Sequence, residues 1–326
     1  MLPWIAVVME GLSSPIRLAP GNGLPLQERR LMDEAGSIEM SDKAIAYPRQ
    51  WRWPQGQKIA MSVGLAFEAF TYRSQFNTLG GAARAGNNPS PLSLSYAEYG
   101  WKAGVWRLME TLDRYGLRAN MSVSAQAAEQ HPNVIAAVIK AGHEINGHGW
   151  VNDVHPHGND EEEADIRRCT AVLTQVAGAP PVGWTGPGSA GSQHTLSVLK
   201  GLGYLWNGDD ASDDLPFLRA TDQGPMVIMP RTNIPQNDLA MWLTPRNPPS
   251  IIWEGFKNTF DQLYSEGEAG APKWMEITLH CHIGGRPTLQ PVIRQCFEYA
   301  KQHDDVWFAR RRDVAAWALE HEQAPR

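Results

Sequence analysis

Helix and strand alternate most clearly in residues 101–148, whose sequence is WKAGVWRLMETLDRYGLRANMSVSAQAAEQHPNVIAAVIKAGHEINGH. Apolar residues recur at helical spacing from Trp101 to Arg114, which predicts a helix with one buried face. The apolar run Ala119–Val123 predicts a buried strand, Pro132–Lys140 a second helix, and His143–Asn146 another strand. Strands that alternate with helices in this way predict a parallel sheet.

The same alternation extends over most of the chain. An apolar run at Ile59–Leu65 precedes the stretch, and more strands and helices are predicted after it: strands at Tyr204–Asn207, Met226–Met229, Met275–Leu279 and Val306–Ala309, and helices from Asn159 and at Ser192–Leu202, Ile252–Tyr264, Pro287–Lys301 and Asp313–Glu320. No glycine-rich G-x-G-x-x-G turn follows the first strand, which argues against an open dinucleotide-binding sheet. About seven strands favour an α/β fold of the deformed (β/α) barrel type.

Two regions differ in composition. Residues 1–57 contain repeated prolines and glycines, which predicts an irregular N-terminal extension. Residues 58–326 carry the strand–helix alternation and are predicted to form one catalytic barrel domain. Met1, Met32 and Met40 all remain possible translation starts.

Composition narrows the function classes. The 326 residues carry a formal net charge of -6, which gives no electrostatic reason to expect a nucleic acid or membrane partner. The three cysteines, Cys169, Cys281 and Cys296, have no spacing typical of a disulfide framework or a zinc knuckle. The N-terminus lacks the features of a signal peptide, and no run of about 20 apolar residues occurs. We therefore expect a cytoplasmic protein with a small-molecule substrate.

Polar side chains follow several predicted strands. Glu68 follows the first strand, His148 the third, and His280 and His282 the strand at Met275–Leu279. In a barrel the carboxyl ends of the strands meet at one mouth, where a carboxylate and two imidazoles are able to activate water and protonate a leaving nitrogen. Taken singly, each residue is equally explained as a surface acid or a structural imidazole. Cys281, between the two histidines, is more simply interpreted as a packing residue.

A known family shares this pattern. The segment from Leu112 to Ala119, Gln130-His131-Pro132, and Ala141 to Ile145 followed by His148 resemble the polysaccharide deacetylases with a NodB-homology domain. The resemblance extends from about Lys58 to Trp317 and implies a deformed (β/α) barrel with its site at the strand ends.

One subgroup is more similar still. Tyr99 to Leu108, His148-Gly149-Trp150, Asp213 to Pro216, Asn237-Asp238, and His280-Cys281 with Gly285-Arg286-Pro287 resemble the metal-independent allantoinases of this fold. The resemblance implies Glu68, His148 and His280 as catalytic residues. It also implies a set of substrate-binding residues: Trp150, Asn152, Pro187, Asp213, Asp214 and Arg286.

The chain departs from the metal-dependent members of the family. They carry an Asp pair after the first strand, where this chain has Ala66 and Glu68, and a second histidine ligand where it has Asn152. The usual Arg-x-Pro loop is replaced by Thr185-Gly186-Pro187, without its arginine. We therefore expect no metal cofactor. If zinc were bound, its ligands would be Glu68, His148 and either Asn152 or His155.

Three functions follow from these features. The first is hydrolysis of a C–N bond in a small cyclic amide, ureide or imide, and the second is metal-dependent deacetylation of an N-acyl amine or amino sugar. The third is a non-catalytic barrel that binds a ligand. The N-terminal extension and the resemblance also imply a homo-oligomer.

Overall fold

The computed structural model describes residues 50–70, 91–152, 159–231 and 237–322. Nine strands of one sheet lie in these ranges: β1 Ile59–Phe67, β2 Ala119–Val123, β3 Glu144–Gly147, β4 Gly183–Trp184, β5 Trp206–Asn207, β6 Phe217–Arg219, β7 Met226–Ile228, β8 Lys273–His280 and β9 Val306–Phe308. Every predicted strand is present, with ends shifted by at most a few residues. The short strands β4 and β6 were not predicted.

Helices connect most of these strands. Nine α-helices occur in the described ranges: α1 Pro91–Tyr99, α2 Val105–Arg114, α3 Ala125–Gln130, α4 Pro132–Lys140, α5 Asn159–Ala177, α6 Thr195–Gly201, α7 Ser250–Glu268, α8 Gln290–Lys301 and α9 Arg311–His321. The helix predicted from Trp101 is interrupted at its start, because Gly100–Gly104 forms a π-helix before α2. Helices α1 and α3 were not predicted.

The sheet curls into an incomplete barrel. Its strand order is β6-β7-β5-β4-β3-β2-β1-β8, and β9 pairs with the first three residues of β1. All pairings between these strands are parallel except that of β6 with β7. No pairing joins β6 to β8 in the described residues, so the barrel is open there. The predicted deformed (β/α) barrel is confirmed.

Alternation along β1 separates two environments. Met61, Val63, Leu65 and Phe67 belong to the hydrophobic core that the surrounding helices cover. The residues between them face the barrel interior, as shown by Gly64, at which a Cβ would lie 2.9 Å from Oε1 of Glu276. Because side chains alternate along a strand, the residue after Phe67 also faces the interior.

The interior has an apolar end and a polar middle. Trp53, Trp206 and Trp274 form a second buried cluster with the small side chains of α9. Next to it, Arg311 at the start of α9 forms a bidentate ion pair with Glu276, and both side chains are 3% exposed. Helix α9 therefore closes the interior on one side and contributes a buried charge to it.

Of the predicted N-terminal extension, the structure describes residues 50–57. Residues 50–57 form no helix or strand, and Trp51 and Trp53 are buried against the barrel. The remainder of the predicted extension lies outside the described residues, so the boundary at residue 58 stays a prediction. In the described part of the chain, no helix is long and apolar enough to cross a membrane.

Replacing Arg311 by Met should destabilise the fold strongly. The substitution keeps the volume but leaves the Glu276 carboxylate buried without its counter-charge, which costs about 3–5 kcal/mol in the free energy of unfolding. The control is Arg167→Met, which removes an exposed i,i+4 pair with Glu163 worth about 0.5 kcal/mol or less. Urea unfolding of both variants measures the difference, and equal losses would contradict a stabilising role for the buried pair.

Candidate active site

The strand register brings three predicted site residues to one level. Ala66 in β1 pairs with His280 in β8, and Phe67 pairs with Val123, which in turn pairs with Gly147. Glu68 and His148 each occupy the first position after these paired residues. Their side chains therefore enter the interior side by side, close to the end of β8.

The Glu68 carboxylate lies at the centre of this cluster. Its side chain is 2% exposed, and its Oε1 lies 2.7 Å from Nδ2 of Asn152, 3.3 Å from Nε2 of His148 and 4.0 Å from Nε2 of His280. Its Oε2 lies 3.6 Å from Nδ1 of His282 and has no hydrogen-bond partner among the described residues. The other two residues predicted to be catalytic, His148 and His280, thus both lie beside the buried Glu68 carboxylate, and the three catalytic roles stay a prediction.

Backbone contacts position the neighbours of Glu68. The Asn152 backbone N–H donates to the carbonyl oxygen of Ala69, at 2.7 Å, so the loop after β3 is attached beside Glu68. The His148 Nδ1 lies 2.6 Å from the carbonyl oxygen of Thr185. Because a carbonyl only accepts hydrogen bonds, Nδ1 carries a proton and Nε2 is the nitrogen that faces Glu68.

Asp238 holds His280, and sequence reasoning did not assign it a role. Its Oδ1 accepts a 2.6 Å hydrogen bond from Nδ1 of His280, and its Oδ2 accepts the backbone N–H of His280 at 2.9 Å. A parallel bridge between Asn237 and Thr278 brings this carboxylate to the end of β8. The Asn237-Asp238 pair in the family resemblance was the signal that pointed to it.

Protonation states follow from burial and charge. Burial raises the pKa of Glu68, but the charge of His280, the hydrogen bond with His148 and the charge of His282 outweigh this effect and lower the pKa to about 2. Burial lowers the pKa of His280, but Glu68 and Asp238 outweigh this and raise it to about 9. Burial, with the charges of His280 and Arg286, lowers the pKa of His282 to about 3. At neutral pH Glu68 is therefore a carboxylate, His280 an imidazolium and His282 a neutral imidazole.

Cys281 does not contribute chemistry to this cluster. Its side chain is 1% exposed, and burial with the nearby carboxylates of Glu68 and Asp238 raises the pKa of its thiol well above the usual value. A thiol in this state is not a nucleophile or a metal ligand at neutral pH. The interpretation as a packing residue agrees with this environment.

Among the predicted substrate-binding residues, Pro187 lies beside the cluster, and Trp150 has one face of its ring covered. A Cβ at Gly149 would lie 2.9 Å from Cγ of Pro187, so this proline packs against the residue after His148. The guanidinium of Arg168 lies 3.4 Å from the centroid of the Trp150 ring, on the side of α5. That face of the indole is covered by the helix.

The placement of Asp213 and Asp214 at the site is wrong. The carbonyl oxygen of Asp214 accepts the backbone N–H of Trp274 at 3.1 Å, and Oδ1 of Asp213 accepts the N–H of Leu215. Trp274 precedes His280 by six residues of an extended strand, a distance of about 20 Å. The error arises because the chain after β5 runs to the start of β8, which residue order alone does not reveal.

Arg286 holds the backbone of His282, next to the Glu68 cluster. Its Nε donates to the carbonyl oxygen of His282 at 2.9 Å, one Nη donates to that of Tyr96, and its guanidinium lies 3.6 Å from the Tyr96 ring centroid. These contacts use two of its five N–H donors and one of its faces. Arg286 thus holds His282, and its contact with substrate stays a prediction.

The residues present do not fit the zinc site implied by the family. Only one imidazole and one carboxylate remain at the expected positions, and the NH2 group of Asn152 is directed at the carboxylate oxygen that a metal would need. In the described residues, no group of three His, Cys, Asp or Glu is arranged to hold a metal ion. His155, the possible replacement ligand, lies outside the described residues.

Comparison with known proteins identifies the family. The polysaccharide deacetylase family matches residues 87–206. A probable polysaccharide deacetylase of known structure from Pseudomonas aeruginosa is 32% identical, with 83% of this chain and 95% of that chain covered and a TM-score of 0.75. The chain belongs to the polysaccharide deacetylase family.

Two further relatives differ in the activity named for them. The structure of PuuE allantoinase is 31% identical, with 86% of this chain and all of that chain covered and a TM-score of 0.74. A putative polysaccharide deacetylase from Schizosaccharomyces pombe is 29% identical over 301 residues, which cover 82% of this chain and 93% of the relative. The family is thus shared by proteins named for deacetylation and for allantoin hydrolysis.

Replacing Asp238 by Asn should lower the pKa of His280. The carboxylate that stabilises the imidazolium is removed while the hydrogen-bonding shape is kept, so we expect a decrease of about 1–3 pH units from the value near 9. NMR titration of the histidine rings, with His280 assigned by His280→Gln, measures it. The control is Asp261→Asn on α7, which should leave His280 unchanged. An unaltered pKa in Asp238→Asn would contradict the assigned pairing.

Proposed function

We propose that the chain hydrolyses a C–N bond in a small cyclic amide, ureide or imide, without a metal cofactor. The observation that carries the proposal is the arrangement around Glu68: Asn152 donates a hydrogen bond to its carboxylate, and the His280 imidazolium faces it at 4.0 Å. This arrangement offers a base and an acid side by side, which are the groups that amide hydrolysis requires.

In this mechanism Glu68 orients a water molecule and takes its proton. The Oε2 atom is available for that contact, since it has no hydrogen-bond partner among the described residues. A carboxylate with a pKa of about 2 is a weak base in the resting site. The charge of His280 contributes to that low value, so the basicity of Glu68 increases as His280 loses its proton.

His280 supplies the proton for the departing nitrogen. Its Nδ1 is held by Asp238, so Nε2 is the nitrogen that points toward Glu68 and the reacting groups. When Nε2–H protonates the leaving nitrogen, the positive charge next to Glu68 disappears. The two proton transfers therefore favour one another, and His148 completes the hydrogen bonding around the carboxylate.

The substrate class follows from how strongly the site can polarise a substrate carbonyl. Hydrogen bonds and one imidazolium polarise a carbonyl less than a zinc ion does. Imides, strained cyclic amides and the acyl carbonyls of ring ureides are more electrophilic than the carbonyl of a simple N-acetyl group, so they suit this site better. A small neutral substrate, a cytoplasmic location and a homo-oligomeric assembly, with no nucleic acid or membrane partner, complete the proposal.

A metal-dependent N-deacetylase is the second candidate. It is supported by the names of the relatives, including a peptidoglycan deacetylase from Helicobacter pylori that is 19% identical over 262 residues. A zinc ion would have to replace the hydrogen bond between Asn152 and Glu68. This candidate is ranked second because Asn152 donates a hydrogen bond to Glu68 at the position where a zinc ligand would be needed.

Replacing Glu68 by Gln should abolish most of the activity. The amide keeps the size of the side chain but cannot accept the proton of water, so the rate should fall by about 10²–10⁴-fold. The measurement is the hydrolysis rate of a substrate found by screening ring ureides, imides and N-acyl amines. Glu110→Gln on the surface of α2 is the control. Equal activity of the Glu68 variant would remove Glu68 from the mechanism, and no turnover by wild type would favour the non-catalytic barrel.

Removing metal should leave the activity unchanged. The Oε1 atom of Glu68 accepts a hydrogen bond from the NH2 group of Asn152 instead of binding a metal, so the reaction should not depend on a divalent ion. Wild-type protein treated with a chelator and dialysed is compared with untreated protein, and metal content is measured on both samples. Loss of activity that zinc, cobalt or manganese restores would transfer the assignment to the N-deacetylase.

A further inference from the structure

Arg231 follows β7, and its guanidinium lies in the barrel interior with only some of its N–H donors hydrogen-bonded to described residues. Its Nε donates to the carbonyl oxygen of Gly208 at 2.9 Å, and one Nη lies 3.6 Å from Oδ1 of Asp209. Neither Nη donates a hydrogen bond to any described residue. The side chain is 25% exposed, so the described residues do not enclose it completely.

Partial burial removes water from the charged guanidinium, which costs free energy, and the hydrogen bond and carboxylate around Arg231 do not fully replace that water. Burial lowers the pKa of Arg231, although Asp209 counteracts this. Of the five N–H donors of a guanidinium, the one at Nε has a partner at hydrogen-bonding distance. The free donors are therefore suited to an oxygen acceptor supplied by a ligand.

Asp209 lies close to Arg231 but accepts no hydrogen bond from it, because the Nη and Oδ1 atoms are 3.6 Å apart. Its Oδ2 accepts the backbone N–H of Gly186 at 2.8 Å and Nδ2 of Asn207 at 3.1 Å, while Oδ1 has no hydrogen-bond partner in the described residues. The carboxylate is thus fixed by the backbone and contributes the counter-charge. A ligand that adds a full negative charge would be unfavourable here, so a neutral carbonyl oxygen is the better fit.

The same elements connect Arg231 to the Glu68 cluster. Gly186, which donates to Asp209, is the neighbour of Thr185, whose carbonyl oxygen accepts the hydrogen bond from His148. The charge of Arg231 also acts on His280. Arg231 and the cluster therefore share one interior, on the side of the barrel formed by β5 and β7.

We infer that Arg231 is a substrate-binding residue that donates to a second carbonyl oxygen of the substrate while the first carbonyl reacts beside Glu68. The inference rests on the proposed function and narrows it. Ring ureides and imides carry a carbonyl on each side of a ring nitrogen, whereas an N-acetyl amine has a single carbonyl. Arg231 thus selects ring substrates with two carbonyl groups over N-acetyl amines.

The test is the binding of hydantoin, a five-membered ring ureide with two carbonyls, to the Glu68→Gln protein by calorimetry. Adding Arg231→Met removes a charge-assisted hydrogen bond and should weaken binding about 10- to 100-fold. Arg231→Lys, which keeps the charge but not the planar fork, should give a smaller loss. The control is Arg219→Met, which removes a more exposed arginine paired with Asp210. Thermal unfolding verifies that each variant is folded.

The outcomes separate this inference from the proposed function. Hydantoin binding that is equal with and without Arg231, or no binding of hydantoin to Glu68→Gln, overturns the role of Arg231. Binding that depends on Arg231 in a protein that hydrolyses no ureide, imide or N-acyl amine supports the role of Arg231 and overturns the proposed hydrolase. If Arg231→Met does not fold, the comparison of Arg231→Lys with Arg219→Met decides the question.

Discussion

The burial of the Glu68 carboxylate is the constraint on which the site depends. A carboxylate that is 2% exposed is retained as an anion only if hydrogen bonds and positive charge replace its hydration. His280 supplies the charge, and Asn152 supplies a hydrogen bond at 2.7 Å. Asp238 in turn keeps His280 charged. Each of these residues comes from a different segment, so the site exists only when the barrel is assembled.

The same principle applies to two further carboxylates of the interior. Glu276 is buried together with Arg311, and Asp209 lies beside Arg231, so both of these carboxylates have a cation close to them. The two pairs differ in completeness. The Glu276 pair is bidentate and closed, which suits a structural role, whereas the Asp209 pair is separated by 3.6 Å and leaves donors of Arg231 without a hydrogen-bond partner among the described residues. This difference is the physical reason to assign stability to the first pair and ligand binding to the second.

The departures from the family pattern act together. Ala66 lies where metal-dependent members carry the first acid, and Asn152 lies where they carry a second imidazole. An amide in this position donates to the neighbouring carboxylate, as it does here. The carboxylate is then held by N–H groups, and the imidazolium of His280 lies beside it. The two substitutions remove metal-binding groups, and in the structure the space around Glu68 is occupied by a hydrogen-bonded amide and an imidazolium instead.

The sequence by itself determined most strands and helices of the barrel and the end of the sheet at which Glu68, His148 and His280 lie, because apolar periodicity and strand ends are local properties. It did not reveal the two- and three-residue strands β4 and β6, which are too short to show a period. Only the tertiary structure decided that Asp238 pairs with His280 across 42 residues, that Asp213 and Asp214 lie near the start of β8, and that Arg231 enters the interior. These contacts depend on the stagger and curl of the sheet, which are set by packing over the whole barrel.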